Sequence, residues 1–531
     1  MIFEILMSRV IAPYFGNTVY TWGSLIGVIL AAMTVGYGLG GKLSSAFAES
    51  FLPSLFLILS GILVVVLPFT AQPLSLATQT FDLPRPIATL IVITTLTFLP
   101  ACLMTTIFPF EAHRMARHYQ NVGNLAGHLG IASTIGSLMG TFLASFILVT
   151  LPWFGTKRSL LATGILLILC GIWLSYQARE LKSKPLSVLL WALVVSGFCG
   201  VGYGLSLPLP PLREGETLVE EKETAYHFMR VTEIEGYPDF SQTPTTARIL
   251  HFSDSLADQS GIWTNLPGKP STTTYTDLFF LAWAFKPQYD RIAILGAGGG
   301  TIPKRILKLF PEETHPKLHV DVVDIDEGIF EMATKHFDYP RQNHRLSSHT
   351  IDARMFLATG QSRYDLIFWD LYTNGGQIPE HLVTKEFFET AHSRLSENGV
   401  LMVNFFLGHP PQLSSPTSPK FLSFLKTISA VFPEERLHAF YRQKFSPSWA
   451  EAPIINRGGI TLVAVKGTAP VSLEFEKLTE RVPLFSSISG LSLNTLSSCH
   501  LTPVISASDK EPYALAPLFT DDFNPISFLR Y

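Results

Sequence analysis

Three glycines and three aspartates carry the strongest chemical signal in this sequence. Gly296, Gly298 and Gly300 form a GxGxG turn between an apolar run, 291–295, and a stretch of helical pattern, 302–310. Such a turn needs glycine because the chain reverses sharply and brings bare backbone within contact distance of a ligand. The helix beyond it supplies unpaired N–H groups. Glycine-rich loops also occur as plain turns, so the context matters. A second apolar alternation, 319–323, leads into Asp324, 24 residues after Gly300. An acid at that strand tip can hold both hydroxyls of a ribose. A third strand pattern, 346–351, ends at Asp352, which could accept from an adenine amine, and a fourth, 364–369, ends at Asp370. Each acid taken singly is more often a helix N-cap or a turn residue. Three in register around one GxGxG turn reverse that preference. No Lys-Ser/Thr follows the glycines at phosphate-loop spacing, so that kind of triphosphate cradle fails.

The elements that must position these residues alternate strand with helix, and a fifth strand, 400–405, follows a helical stretch, 385–395. That alternation predicts a parallel, doubly wound sheet with ligands at the carboxyl ends of its strands. Upstream, 226–233 and 247–252 read as half-buried strands. The proline-rich 207–212 and the acidic 214–223 read as a linker. Beyond residue 470 the pattern is mostly loop, with a short helix near 473–482 and no assignable role.

The rest of the chain follows a different pattern. The first 212 residues contain 15 Asp, Glu, Lys and Arg, against 66 in the remaining 319. Six stretches, 18–40, 51–70, 86–108, 127–151, 159–176 and 186–207, reach the roughly 20 apolar residues that cross a bilayer core as helix. The expected architecture is therefore a multi-pass α-helical membrane domain joined to a water-soluble α/β half. A secretory signal peptide fits the N-terminus poorly, because Glu4 interrupts the only apolar run and no cleavage site follows. Basic residues divide five against six between the two sides, so charge gives no orientation. Gly36 with Gly40, Gly123 with Gly127, and Gly136 with Gly140 have the spacing that lets helices approach closely in lipid. Asn124, His128, Ser133 and Thr134 suit either interhelical hydrogen bonds or a polar pathway. The four cysteines form no CxxC pair, which speaks against a zinc knuckle or disulfide framework. A net charge of −3 with 47% hydrophobic residues excludes a disordered or nucleic-acid-coating protein.

Taken in order, these motifs resemble the membrane-fused spermidine synthase-like (polyamine aminopropyltransferase-like) proteins, the fused transporter/spermidine synthase type, over most of the chain. Ser8-Arg-Val-Ile-Ala-Pro-Tyr-Phe-Gly16 and the segments 122–126 and 136–140 resemble the family's membrane segments, with Met1–Glu4 aligning midway into the first of them. Glu223-Thr-Ala-Tyr-His-Phe-Met-Arg-Val231 resembles the strand opening the aminopropyltransferase domain. Asp258-Gln-Ser-Gly261, Tyr275-Thr-Asp277, the glycine turn and the three aspartates fall in family order, and Thr520-Asp-Asp-Phe-Asn-Pro525 resembles the closing motif.

The resemblance implies a class I methyltransferase-like Rossmann domain preceded by a small N-terminal β-domain. The expected divisions are 1–212 for the membrane domain, 213–265 for linker and β-domain, 266–470 for the Rossmann-like domain and 471–531 for a tail. It further implies transfer from decarboxylated S-adenosylmethionine to an amine. Gly296, Gly298 and Gly300 would hold the donor's tail, Asp324 its ribose and Asp352 its adenine, with Gln259 beside the nucleoside. Tyr275 and Tyr372 would line the amine pocket, and Asp370 would orient and deprotonate the amine. No metal is expected. The partners expected are a lipid bilayer, a small-molecule amine and a second copy of the chain, with no nucleic acid. The soluble half is expected on the cytoplasmic side of the cell membrane, where such donors are made.

The sequence also departs from the family. Gly299 stands at the aspartate of the family's GGGDGG turn, and Thr373 replaces the second acid after Asp370. A buried dicationic diamine needs carboxylates at both ends, and two are missing. Two other readings therefore stand beside aminopropyl transfer: methyl transfer from S-adenosylmethionine itself, and a transporter or sensor that binds an adenosine ligand without turnover.

Overall fold

The computed structural model describes residues 1–15, 19–47, 51–80, 85–116, 122–148, 155–177, 212–224, 226–237, 243–252, 258–266, 271–273, 275–373, 378–406, 419–441, 459–468, 473–482, 500–501 and 510–521. It divides into two compact units, Met1–Pro211 and Leu212–Tyr531.

The first unit is helical: α1 (Ile2–Phe15), α2 (Val19–Ala46), α3 (Leu52–Thr80), α4 (Arg85–Thr105), α5 (Ile107–Ala116), α6 (Val122–Phe142) and α7 (Gly155–Gln177). A π-helical turn, Leu143–Leu148, extends α6. Five helical stretches are long and apolar enough to cross a membrane. They coincide with the first five expected spans, and the sixth, 186–207, lies outside the described residues. Helix packing uses glycine as the spacing implied at Gly36 and Gly40, where an added Cβ would meet the backbone of Cys102 and of Thr106 on and just after α4. Gly127 and Gly136 do not follow that expectation, since they face open space among the described residues. A further close contact is not signalled by any four-residue spacing. A Cβ on Gly61 of α3 would sit 2.6 Å from the Gly164 carbonyl oxygen of α7, and one on Gly164 would sit 2.7 Å from that of Gly61.

The second unit opens with a four-stranded antiparallel sheet in sequence order: β1 (Thr217–Glu223), β2 (Phe228–Gly236), β3 (Thr245–Phe252) and β4 (Asp258–Trp263). Here β1 corrects the linker assignment of the acidic stretch. Its charges are matched across the fold rather than solvated: Glu221 accepts from Arg230 at 2.8 Å, Glu220 from Lys335 at 2.6 Å, and Glu216 faces His251 at 3.1 Å.

A mixed eight-stranded sheet follows. Its strands are β5 (Arg291–Leu295), β6 (His319–Asp324), β7 (Leu346–Thr350), β8 (Tyr364–Trp369), β9 (Leu395–Phe406), β10 (Leu437–Tyr441), β11 (Gly459–Val465) and β12 (His500–Leu501), in the order β12-β10-β11-β9-β8-β5-β6-β7. β5 through β9 pair in parallel, as the alternating pattern predicts, whereas β11 runs antiparallel between β9 and β10. The central strands β5 and β8 are buried on both faces. Ile292, Ile294, Leu366 and Phe368 join one core, while Ala293, Leu295, Ile367 and Trp369 join the other. Alternation with both faces covered gives the continuous apolar runs seen in the sequence. Apart from the edge strand β12, which pairs antiparallel with β10, the order with antiparallel β11 inserted is the class I methyltransferase arrangement. Residues after 470 are more structured than expected, supplying β12 and a helix, Lys510–Leu515, besides the turn at Phe475–Arg481.

Replacing Gly61 by Leu is expected to force α3 from α7 and cost about 1–3 kcal/mol, the usual range for overpacking. Thermal unfolding of the full chain checks this, with a lowered midpoint expected.

Candidate functional site

Parallel pairing brings the carboxyl ends of five strands, β5 to β9, to one edge. Leu295 aligns with Val323 on one side and Trp369 on the other, Asp324 aligns with Thr350, and Trp369 with Val403. The next residues outward are Gly296, Asp370 and Asn404, with Asp352 two beyond Thr350. The glycine turn and all three aspartates thus lie along a single rim.

The turn is shaped by conformations that L side chains resist. Gly296 has φ +96° and Gly300 φ +69°, the latter at the N-cap of the helix Thr301–Leu309. A Cβ at Gly296 would strike the Asp370 carbonyl oxygen. At Gly299 it would come within 2.7 Å of the Ser260 hydroxyl, so Ser260 fills the volume that an aspartate side chain would need.

Asp324 is turned toward this loop. One carboxylate oxygen accepts from the Ala297 N–H at 3.0 Å and the other from the Asp326 N–H at 3.0 Å. Burial pushes its carboxyl up, against those two bonds and the nearby charge of His227. Asp326 behind it is buried too, and caps the helix Glu327–Phe337 through Gly328 N–H. Burial alone would raise its carboxyl, but bonds from His227 Nδ1 at 3.0 Å and from Thr224 hold it below the ordinary value. His227, stacked on Phe252, therefore braces the strand tip from the small sheet.

Asp352 caps the helix Ala353–Thr359 by accepting from Met355 N–H at 3.0 Å, and its other oxygen lies 2.8 Å from His381 Nε2. Its partial burial is outweighed by the His381 bond and charge and by the Met355 bond, which keep the carboxyl low. The exposed apolar side chains of Ile325 and Met355 lie one and three residues beyond Asp324 and Asp352. Exposed apolar side chains next to two buried or half-buried acids are a feature that no sequence pattern signals.

Asp370 has a different environment. Its Oδ2 accepts from the Tyr275 hydroxyl at 3.1 Å and its Oδ1 from Asn404 Nδ2 at 2.9 Å. Both partners are neutral. Burial therefore dominates and pushes the carboxyl up to about 6, despite the bonds from Asn404 and Tyr275. The Tyr275 hydroxyl also lies 3.3 Å from the Gln259 carbonyl oxygen, and the Tyr372 hydroxyl donates to the Asn404 carbonyl at 2.6 Å. Burial and the neighbouring Asp370 push the Tyr275 phenol well up. The three glycines, Asp324, Asp352 and Asp370 thus lie on this rim, Tyr275 bonds Asp370, Tyr372 bonds Asn404, and Gln259 meets Tyr275 through its main-chain carbonyl alone. Asn404 was not among them, its one signal being a lone amide at the end of an apolar strand. No group of side chains that could hold a metal occurs among the described residues.

Residues 275–468 match the spermine/spermidine synthase domain. This part of the chain is spermidine synthase-like. The polyamine aminopropyltransferase of Vibrio vulnificus is 32% identical over 205 residues, which are 37% of this chain and 62% of that one. A probable polyamine aminopropyl transferase of Bifidobacterium longum is 28% identical over 239 residues, 43% of this chain and 49% of that one. The chain thus spans about half to three fifths of the length of these relatives. Among solved structures, the spermidine synthase of Thermotoga maritima is similar at 15% identity and TM-score 0.33, over 59% of this chain and 99% of that one.

Removing His227 as His227→Leu leaves Asp326 buried with an unmet charge. A stability loss of about 3 kcal/mol is expected, read as a lower thermal midpoint of the full chain.

Proposed function

We propose that the chain is a membrane-anchored transferase that moves an aminopropyl group from decarboxylated S-adenosylmethionine to an amine. The observation that carries this reading is Asp370, a carboxylate fixed by two neutral donors against the glycine turn. The residues suit the donor. The turn offers bare backbone where a side chain would collide, Asp324 keeps a lone pair on each oxygen for ribose hydroxyls, Ile325 and Met355 offer apolar surface to a purine, and Asp352 faces its amine.

An alkylammonium cannot attack until it loses a proton. Asp370 would accept that proton and hold the freed amine in line with the carbon bonded to sulfur. The amine nitrogen then forms a bond to that carbon, the carbon–sulfur bond breaks, and its electron pair stays on sulfur as a neutral thioether. Positioning the two reactants contributes as much to the rate as the proton transfer. Tyr275 and Tyr372 would wall the amine side. The five apolar helices support a bilayer setting, with the soluble half on the side where the donor is made.

Methyl transfer from S-adenosylmethionine is the second reading. Gly299 favours it, because a turn without an acid does not repel a donor that retains its carboxylate.

Asp370 must be ionised to take the proton, and its carboxyl is ionised only above about 6. kcat/KM for the amine is therefore expected to rise as pH increases through that value. Asp370→Asn is expected to lower transfer by about 10²–10⁴-fold, the usual share of a general base, while donor binding measured by calorimetry stays near wild type. Undiminished turnover would place the base elsewhere.

A further inference from the structure

The closing motif near residue 520 has no part in the chemistry described so far, yet its described residues are tightly docked. Phe519 is fully buried, its N–H donates to Thr427 Oγ1 at 2.9 Å, and its carbonyl accepts from Lys385 N–H at 2.9 Å. Lys426 Nζ holds the preceding carbonyls of Ala514 and Ala516 at 2.7 and 2.8 Å. Asp521 then receives both terminal nitrogens of Arg354, Nη1 at 2.6 Å, and the Thr384 hydroxyl at 2.8 Å, and its N–H donates to Glu386 Oε2 at 3.0 Å.

Arg354 belongs to the helix that Asp352 caps, two residues beyond it. Its Nη1 also donates to the His381 carbonyl at 3.3 Å, and the His381 ring bonds Asp352. Asp352, Arg354 and His381 therefore form a closed ring, clipped from outside by Asp521. The clip is half exposed, with side-chain accessibilities of 26% and 40%, so its contribution to stability is small. Its geometry is nevertheless specific, because a two-pronged guanidinium–carboxylate pair fixes the plane and direction of the arginine.

We propose that Asp521 is a positioning residue of the donor site: it holds Arg354 away from Asp352, so that Asp352 keeps a free lone pair for the exocyclic amine of adenine. Without Asp521, the guanidinium is left between two carboxylates, Glu386 and, at the start of its own helix, Asp352. An arginine bonded there would satisfy the oxygen that reads the base. The tail would thus set nucleobase selectivity while touching neither the donor nor the reacting atoms. This inference rests on the proposed assignment of Asp352 to adenine.

The test uses the full chain in detergent micelles, with methylthioadenosine and methylthioinosine as probes in calorimetry. Inosine lacks the amine and places a carbonyl against the carboxylate. The wild type is expected to prefer adenosine by about tenfold or more, the scale of one hydrogen bond to a charged group. Asp521→Asn is expected to lose most of that preference. The double variant Asp521→Asn with Arg354→Gln, which removes the competing cation, is expected to regain it. A general loosening of the fold would not be repaired by a second deletion, so a double variant as unselective as the single one overturns the proposal. Asp521→Asn with the wild-type preference overturns it as well. A wild type that binds neither nucleoside instead removes the adenosine-site reading on which the proposal stands.

Discussion

Two stretches of backbone meet at Gly296 and Asp370 with no room for a side chain between them. That contact fixes the relation between the loop that would seat the donor and the acid that would activate the acceptor. Asp370 follows β8, Gly296 follows β5, and the two strands are paired in parallel up to Leu295 and Trp369. The Asp370 N–H donates back to the Leu295 carbonyl at 2.9 Å, and the Gly296 N–H to the Val323 carbonyl at 2.8 Å. The distance between the glycine turn and Asp370 is therefore set by the sheet, whose β5 and β8 are buried on both faces, rather than by a mobile loop. Chemistry that depends on in-line approach needs that kind of rigidity.

Along the same rim, three aspartates of identical chemistry are given different properties by their neighbours. Asp324 spends one lone pair of each oxygen on backbone N–H groups and shapes the glycine turn. Asp352 is held low by a histidine and by a helix N-terminus, and stays a dependable acceptor. Asp370 has only an amide and a phenol for partners, and burial raises its carboxyl to about 6, while burial also pushes Asp324 up against its two backbone bonds. An acid whose proton affinity lies near the working pH is suited to proton transfer, the role proposed for Asp370.

The glycine turn, the strands around it and the three acids are legible in the sequence because each depends on a short pattern. Apolar runs of five or six residues followed by glycine or aspartate are local signals. The contributions that depend on distant pairing are not legible. The acidic stretch 214–223 resembles a solvated linker because partners such as His251 and Lys335 lie far along the sequence, Lys335 115 residues from Glu220. Asn404 is an ordinary strand residue until the register of β9 against β8 places it beside Asp370. The tail has the pattern of a loop because its order comes from docking, through Phe519 and Asp521, and not from any periodicity. In the helical half, hydropathy locates the spans, whereas the Gly61–Gly164 contact follows only from the pairing of α3 with α7.

The identity of the transferred group decides most directly whether Asp370 and the glycine turn form an aminopropyl-transfer site. Mass spectrometry of an amine mixture incubated with the full chain and both donors, decarboxylated S-adenosylmethionine and S-adenosylmethionine, reads that group whichever amine is the acceptor. An aminopropylated amine together with methylthioadenosine is the expected result, with neither product formed by Asp370→Asn. A methylated product with release of S-adenosylhomocysteine, or no product from either donor, would contradict it.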